Sequence, residues 1–287
     1  MKYSIVLTLF FLHLSTPSHA WVIDANFDSG TAGSIANGPS GITEAFALTK
    51  YSNEIVRSGS LSAKATIRAK SAGFGDFGGN WLLSSDQKLG EGDEIWYRTW
   101  LYVPHDFSFD CGGCTEGPKF MRIHTKSATG ENEGYWNLHL LTNGITLASS
   151  VTDDFYTNHP YPRDDIRGIN GSVNKGEWHA YEQYVKFSST SGKGIYRAWY
   201  DGKLIFEDTV TKTLKSSTSV VDKIQLFTYW RGVADEQPDQ DQSVYVDEVM
   251  ITNEQPDNKD AKGNSFLGVG NATFTAAPKP PQLLSLE

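Results

Sequence analysis

Lys119-Phe120-Met121-Arg122-Ile123-His124-Thr125-Lys126 decides how this chain is read. As a β-strand its side chains alternate between two faces. Phe120, Arg122, His124 and Lys126 then share one face, and Lys119, Met121, Ile123 and Thr125 share the other. A guanidinium, an imidazole and an ammonium in a row are costly as core and sensible as the floor of an anion site. Tyr135-Trp136-Asn137-Leu138-His139-Leu140 repeats the pattern. Tyr135, Asn137 and His139 point one way, and Trp136, Leu138 and Leu140 the other. Two such ladders side by side predict a groove for an acidic polymer. The plainer alternative is two solvated faces of an antiparallel sheet.

Outward from these ladders, helical periodicity is scarce and alternating runs bounded by Gly, Asn, Asp and Ser recur. The pattern predicts strands over Trp21–Asp28, Glu44–Thr49, Leu61–Ala69, Glu94–Val103, Lys119–Lys126, Gly134–Leu141 and Ile145–Val151. It continues with Glu177–Phe187, Gly194–Tyr200, Lys203–Glu207, Lys223–Trp230 and Ser243–Ile251. This is an all-β chain of sandwich or barrel type. Tyr200-Asp201-Gly202-Lys203 reads as a hairpin turn, because Asp-Gly accepts the positive φ angles of a tight connection. Thr152–Lys175, with Phe155, Tyr156, His159, Tyr161, Arg163 and Arg167, is too long and too aromatic for an idle connection. It is expected to overhang one end of the groove. The segment after Asn253 is rich in Pro, Asn and Lys and reads as a linker-like tail.

Residues 1–20 read as a signal peptide: Lys2, an apolar run from Tyr3 to Leu14, and small residues at Ser18-His19-Ala20. The organisation expected is a signal peptide over 1–20, one β domain over 21–255, and an extension with a tail over 256–287. Export places the protein outside the cell or in a periplasm, and no later segment reads as membrane-spanning. The formal net charge is −9, which argues against nonspecific nucleic-acid binding. A focused cationic groove inside a negative shell still suits an acidic polysaccharide, bound by a monomer. In an exported chain, Cys111 and Cys114 are expected to form a small loop disulfide rather than a metal or redox motif.

The chemistry follows from what is present and what is missing. The alternating acids of sandwich glucanases, Glu-x-Asp-x-x-Glu, are absent, as are serine-hydrolase and zinc-protease signatures. His, Tyr, Arg, Asn and Lys on strands suit β-elimination from a uronic acid. The C5 proton becomes acidic once Arg, Asn or a protonated His neutralises the adjacent carboxylate. A His or Tyr then removes it, and a Tyr protonates the departing 4-oxygen.

Gly92-Asp93-Glu94-Ile95-Trp96-Tyr97-Arg98-Thr99-Trp100-Leu101-Tyr102-Val103-Pro104 resembles a strand of the heparin-lyase-I-like polysaccharide lyases. Gly176-Glu177-Trp178-His179, Gly194–Lys203 and Ser243-Val244-Tyr245-Val246-Asp247-Glu248-Val249 resemble later blocks of the same family, in the same order. The resemblance implies a concanavalin-A-like β-jelly roll of two antiparallel sheets and the activity of a polysaccharide lyase. Arg122-Ile123-His124 is similar to the Gln-Ile-His of jelly-roll alginate lyases. Gln225-Leu226-Phe227-Thr228-Tyr229 resembles their Lys-Ala-Gly-Val-Tyr strand, with Tyr229 on the catalytic tyrosine and Gln225 on the lysine. Arg for Gln and Gln for Lys are the departures.

The expected site is therefore Tyr229 as proton-transfer group, His124 as its partner, and Arg122 with Asn137 on the carboxylate. His139, Lys126, Tyr135, Tyr184, Lys186, Arg197, Arg231, Tyr156, Tyr161 and Arg163 are expected to contact substrate, and His179 to be structural. No cofactor is required for the chemistry. Asp24, Asp28 and Asp247 are candidates for a structural Ca2+ where the first and last strands meet. The substrate class is alginate, glucuronan or a glycosaminoglycan. The competing reading is a non-catalytic carbohydrate-binding, lectin-like module using the same groove.

Overall fold

The computed structural model describes residues 20–71, 73–110, 118–141, 144–149, 174–230 and 238–274. Fourteen strands are present, and no helix occurs among the described residues. They are β1 (Val22–Ala25), β2 (Glu44–Ala45), β3 (Thr49–Ser52), β4 (Ser62–Ile67), β5 (Gly79–Leu82), β6 (Glu94–Tyr102) and β7 (Lys119–Lys126). Then follow β8 (Asn132–Leu141), β9 (Gly144–Ser149), β10 (Trp178–Lys186), β11 (Gly194–Tyr200), β12 (Lys203–Thr211), β13 (Val220–Leu226) and β14 (Gln242–Thr252). One sheet has eight strands, ordered β12-β11-β10-β6-β14-β4-β3 with β1 on β14; the other has six, ordered β2-β5-β13-β7-β8-β9. All the named pairs are antiparallel. The jelly-roll expectation holds.

Period-2 alternation sends one set of side chains from each sheet into a shared core. Ile95, Tyr97 and Leu101 of β6 and Tyr181 and Val185 of β10 meet Met121 and Ile123 of β7, Trp136 and Leu138 of β8, and Ile224 and Leu226 of β13. The β11–β12 hairpin turns where Asp-Gly predicted, with φ of 47° at Asp201 and 75° at Gly202. The expected Glu44–Thr49 strand is instead split between β2 and β3, and β5 was not anticipated.

Three irregularities set the faces of the six-stranded sheet. In β7, pairing with β8 shifts between Lys119 and Met121. The bulged residue, Phe120, turns into the core beside Tyr181 and Phe227. Phe120 therefore does not share the polar face assigned to it, and Lys119 takes that place. In β13, pairing with β7 shifts between Val221 and Lys223. Val221 and Ile224 both face the core, so Asp222 and Lys223 stand between them on the other side. The expected Lys223–Trp230 strand ends at Leu226, because Phe227 is left-handed with φ of 47°. Phe227 occupies the position of glycine in the resembling alginate-lyase strand, the residue that takes this conformation without a steric cost.

The domain also runs further than residue 255. Residues 256–274 lie as a strap across the outer face of the eight-stranded sheet. Leu267 is fully buried against Trp96, Tyr184 and Trp199, with Phe266 and Phe274 packed beside it. Glu182 accepts the backbone amides of Leu267 and Gly268 at 2.6 and 3.1 Å. Arg98, its register partner, donates to the carbonyls of Gly268 and Gly270 at 2.9 and 2.7 Å.

Candidate active site

The polar face of the six-stranded sheet is organised by β7, with β8 on one side and β13 on the other. Arg122 stands opposite Asn137 and Gln225, and His124 opposite Tyr135 and Lys223. Arg122 Nε donates to Asn137 Oδ1 at 2.6 Å, and its guanidinium lies 4.0 Å from the centre of the Tyr135 ring. That arrangement fixes the plane of the guanidinium, whose fork geometry matches a carboxylate.

Tyr229 reaches the same face through the turn at Phe227. Lys119 Nζ donates to the Tyr229 phenol oxygen at 2.6 Å and lies 5.3 Å from the Tyr135 ring centre. Tyr229, Lys119, Tyr135, Arg122 and Asn137 thus form one connected row. His124 Nδ1 lies 2.9 Å from Asp222 Oδ1, and Lys126 Nζ lies 3.0 Å from Asp222 Oδ2. Burial alone would raise the Asp222 carboxyl, but hydrogen bonds from His124 and Lys126 bring it down to about 2.

A cleft of about 170 Å³ opens at the Arg122 and Tyr135 end of this row, lined by Phe46, Phe74, Gly75, Arg122, His124, Asn132, Tyr135, Lys223, Gln225 and Thr228. Phe74 is 79% exposed at its rim, with its ring 5.2 Å from that of Tyr229. Among the described residues, Lys119, Arg122, Lys126 and Lys223 outnumber the carboxylates of this face, Asp222 beside His124 and Glu44 on the edge strand β2.

Of the expected site residues, Arg122, His124, Asn137, Tyr229, Tyr135 and Lys126 come together here. His139 follows Asn137 in the row, buried and opposite Lys119. Tyr184, Lys186 and Arg197 do not belong to the cleft; they lie on the outer face of the other sheet. Tyr184 is buried against Trp96, Lys186 pairs with Glu94, and Arg197 with Glu207. Each is spent on structure. His179 is structural as expected, with Nδ1 held 2.7 Å from Asp201 Oδ2. Arg231, Tyr156, Tyr161, Arg163, Cys111 and Cys114 lie outside the described residues.

The expected calcium ligands do not gather. Asp28 accepts the amides of Ser60 and Leu61, while Asp247 accepts those of Arg57, Ser58 and Glu248. Burial pushes the Asp247 carboxyl up to about 7, against those amide bonds. Burial also raises Asp24, with Arg98 opposing. The carboxylates of Asp28 and Asp247 are occupied in holding one loop, and among the described residues no three such side chains are grouped to hold a metal ion.

Four contributors were missed: Lys119, Asp222, Lys223 and Phe74. Three had a visible signal. Adjacent apolar residues at Phe120-Met121 and adjacent charges at Asp222-Lys223 both break strict alternation, which marks a bulge. Phe74, between Gly73 and Gly75, carries no periodic signal.

Comparison with known proteins agrees with the fold. The alginate lyase Aly36B shares the fold with a TM-score of 0.55 at 14% identity, over 83% of this chain and 97% of that one. An endo-β-1,4-glucuronan lyase from the fungus Trichoderma reesei gives 0.51 at 13% identity, over 80% and 94%. No curated protein gives a match. A family profile described as polysaccharide lyase matches residues 32–250, well over half of the sequence. The chain belongs to the polysaccharide lyase family.

Proposed function

We propose that this lyase depolymerises a uronic-acid polysaccharide of the alginate or glucuronan kind by β-elimination in the cleft over β7. The observation that carries the reading is the Lys119–Tyr229 pair beside the Arg122–Asn137 pair on one sheet face, with Arg122 and Tyr229 half-buried and Lys119 and Asn137 buried behind them. Arg122 and Asn137 bind the uronate carboxylate and draw charge from C5. Tyr229, as phenolate, takes the C5 proton, the C4–O bond breaks as the C4–C5 double bond forms, and the Tyr229 phenol so formed returns that proton to the departing 4-oxygen. A phenol ordinarily titrates near pH ~10, so a basic tyrosine needs a cation at its oxygen. Lys119 supplies that charge, in a chain whose Gln225 stands where the resembling enzymes have their lysine. His124, two residues along from Arg122, is the second proton-transfer group.

Export through residues 1–20 belongs to the same proposal, since the polymer lies outside the cell. N-terminal sequencing of secreted protein beginning at Trp21 would support it. The activity test is incubation of the purified protein with alginate, glucuronan and glycosaminoglycans, following the absorbance of the unsaturated product. Binding to these polymers without any product would favour the lectin-like alternative.

A further inference from the structure

The cationic row of the cleft contains one carboxylate that the proposed chemistry leaves unused. Asp222 owes its place to the bulge in β13, since Val221 and Ile224 on either side face the core. Its side chain is 14% exposed. One oxygen meets His124 Nδ1 and the other meets Lys126 Nζ, so the carboxylate is pinned at both ends. The groups around His124 are Arg122 and Lys126 on its own strand, Tyr135 on β8, and Asp222 and Lys223 on β13. Among these, the one that bonds its ring is the anion.

We infer that Asp222 is a positioning residue: it holds the Nδ1–H of His124 and so makes Nε2 the nitrogen that meets substrate. The inference rests on the lyase reading only for what His124 then does. An ionised carboxylate accepts hydrogen bonds and donates none. Nδ1 must therefore carry the proton whether the ring is neutral or charged. A neutral ring then offers a lone pair at Nε2, and a protonated ring offers an N–H there, in one fixed orientation. Without Asp222 the imidazole is free to exchange tautomers, and a share of the molecules would present an Nε2 unable to accept a proton. Lys126 keeps the carboxylate from rotating away. Asp222 stays ionised throughout ordinary pH, its carboxyl being held at about 2.

The test joins a spectroscopic readout with kinetics on whichever uronate polymer is cleaved. Nitrogen-15 spectra of the ring, with His124 assigned by its loss in His124→Gln, should show the Nδ1–H form in the native protein. Asp222→Ala should give mixed tautomers and lower kcat on the order of tenfold or more, with KM within about twofold. Asp222→Asn, which still accepts from Nδ1 but carries no charge, should keep the tautomer and move the acidic limb of the pH profile to lower pH. Should Asp222→Ala fail to fold, Lys126→Met tests the same anchor by freeing one end of the carboxylate, and a mixed tautomer there supports the inference. A native tautomer and pH profile in Asp222→Ala, or a native tautomer in Lys126→Met as the fallback, overturns it. If His124→Gln keeps full turnover, the lyase role of His124 falls instead, and the spectra still decide what Asp222 does.

Discussion

The polar face of the six-stranded sheet and the outer face of the eight-stranded sheet are built from the same kinds of residue. Each presents Arg, Tyr, Lys and carboxylates at alternating strand positions. On the outer face the polar groups are matched: Arg98 and Glu182 bind the backbone of the strap, Arg197 binds Glu207, and Lys186 binds Glu94. The chain's own strap then covers the middle of it. On the cleft face, among the described residues, Lys119, Arg122, Lys126 and Lys223 outnumber Asp222 and Glu44, and a cleft opens at Arg122, His124, Tyr135 and Lys223. What separates a site from a structural face here is charge balance and cover, not residue type.

The largest test removes the cover. A chain ending at Asn253 exposes Trp96, Tyr184 and Trp199, whose burial contributes on the order of 2 kcal/mol each. The melting temperature should fall by on the order of 10 °C, while turnover per folded molecule remains. Unchanged melting in a calorimeter would show that the strap contributes little to closing the face.

Next comes Tyr229→Phe, which should lower kcat by on the order of a hundredfold, or ~2.7 kcal/mol of barrier, with KM largely retained. Near-native turnover would move the proton-transfer role to His124. Lys119→Met should reproduce much of the loss without disturbing the Phe120 core contact. Steady-state rates of product absorbance read both variants.

A paired comparison of arginines is sharper though smaller. Arg122→Ala should raise KM and lower kcat by on the order of tenfold each, because the carboxylate is held before and during proton removal. Arg197→Ala should leave both within about twofold and affect only stability. Equal effects on catalysis would erase the distinction between the two faces.

The smallest effect concerns pH. Burial pushes the Glu182 carboxyl up to about 8, against the strap amides and the charge of Arg98. Its folded value thus lies above the ordinary 4.5, so its contribution to stability is full below that value and is lost as pH rises through about 8. Denaturant midpoints at both ends of the window should show the decline, and Glu182→Gln should remove its share while leaving that of Asp247, whose carboxyl is raised to about 7.

The sandwich, the core faces of β7 and β8, and the Asp-Gly hairpin were legible from alternation and turn chemistry. So were Arg122, His124, Asn137 and Tyr135, which regular pairing brings together. Tyr229 keeps step with Lys223 and Gln225, so alternation placed it and resemblance supplied its role, while the left-handed turn that takes Phe227 off that face into the core was not legible. Tyr184, Lys186 and Arg197 were misassigned because alternation says which residues share a face but not what lies over it. The strap lacks strand periodicity, so its docking could not be read in advance. Its anchors, Glu182 and Arg98, bind backbone atoms, and that leaves no side-chain code to recognise.

The turn at Phe227 and the bulge at Phe120 have a consequence for descent. Lys119 reaches the cleft because β7 carries one residue out of step, and Tyr229 keeps step with Lys223 and Gln225 only because Phe227 is turned aside between them. No substitution moves either side chain to the opposite face, but loss of a single codon at position 120 or 227 would. A lineage losing one would keep its hydrophobic composition and its fold while withdrawing half of the proton-transfer pair. Passage from a cutting protein to one that only grips its polymer lies one deletion away. An engineer transplanting the site onto a plain jelly roll would need to carry over the two kinks before any side chain.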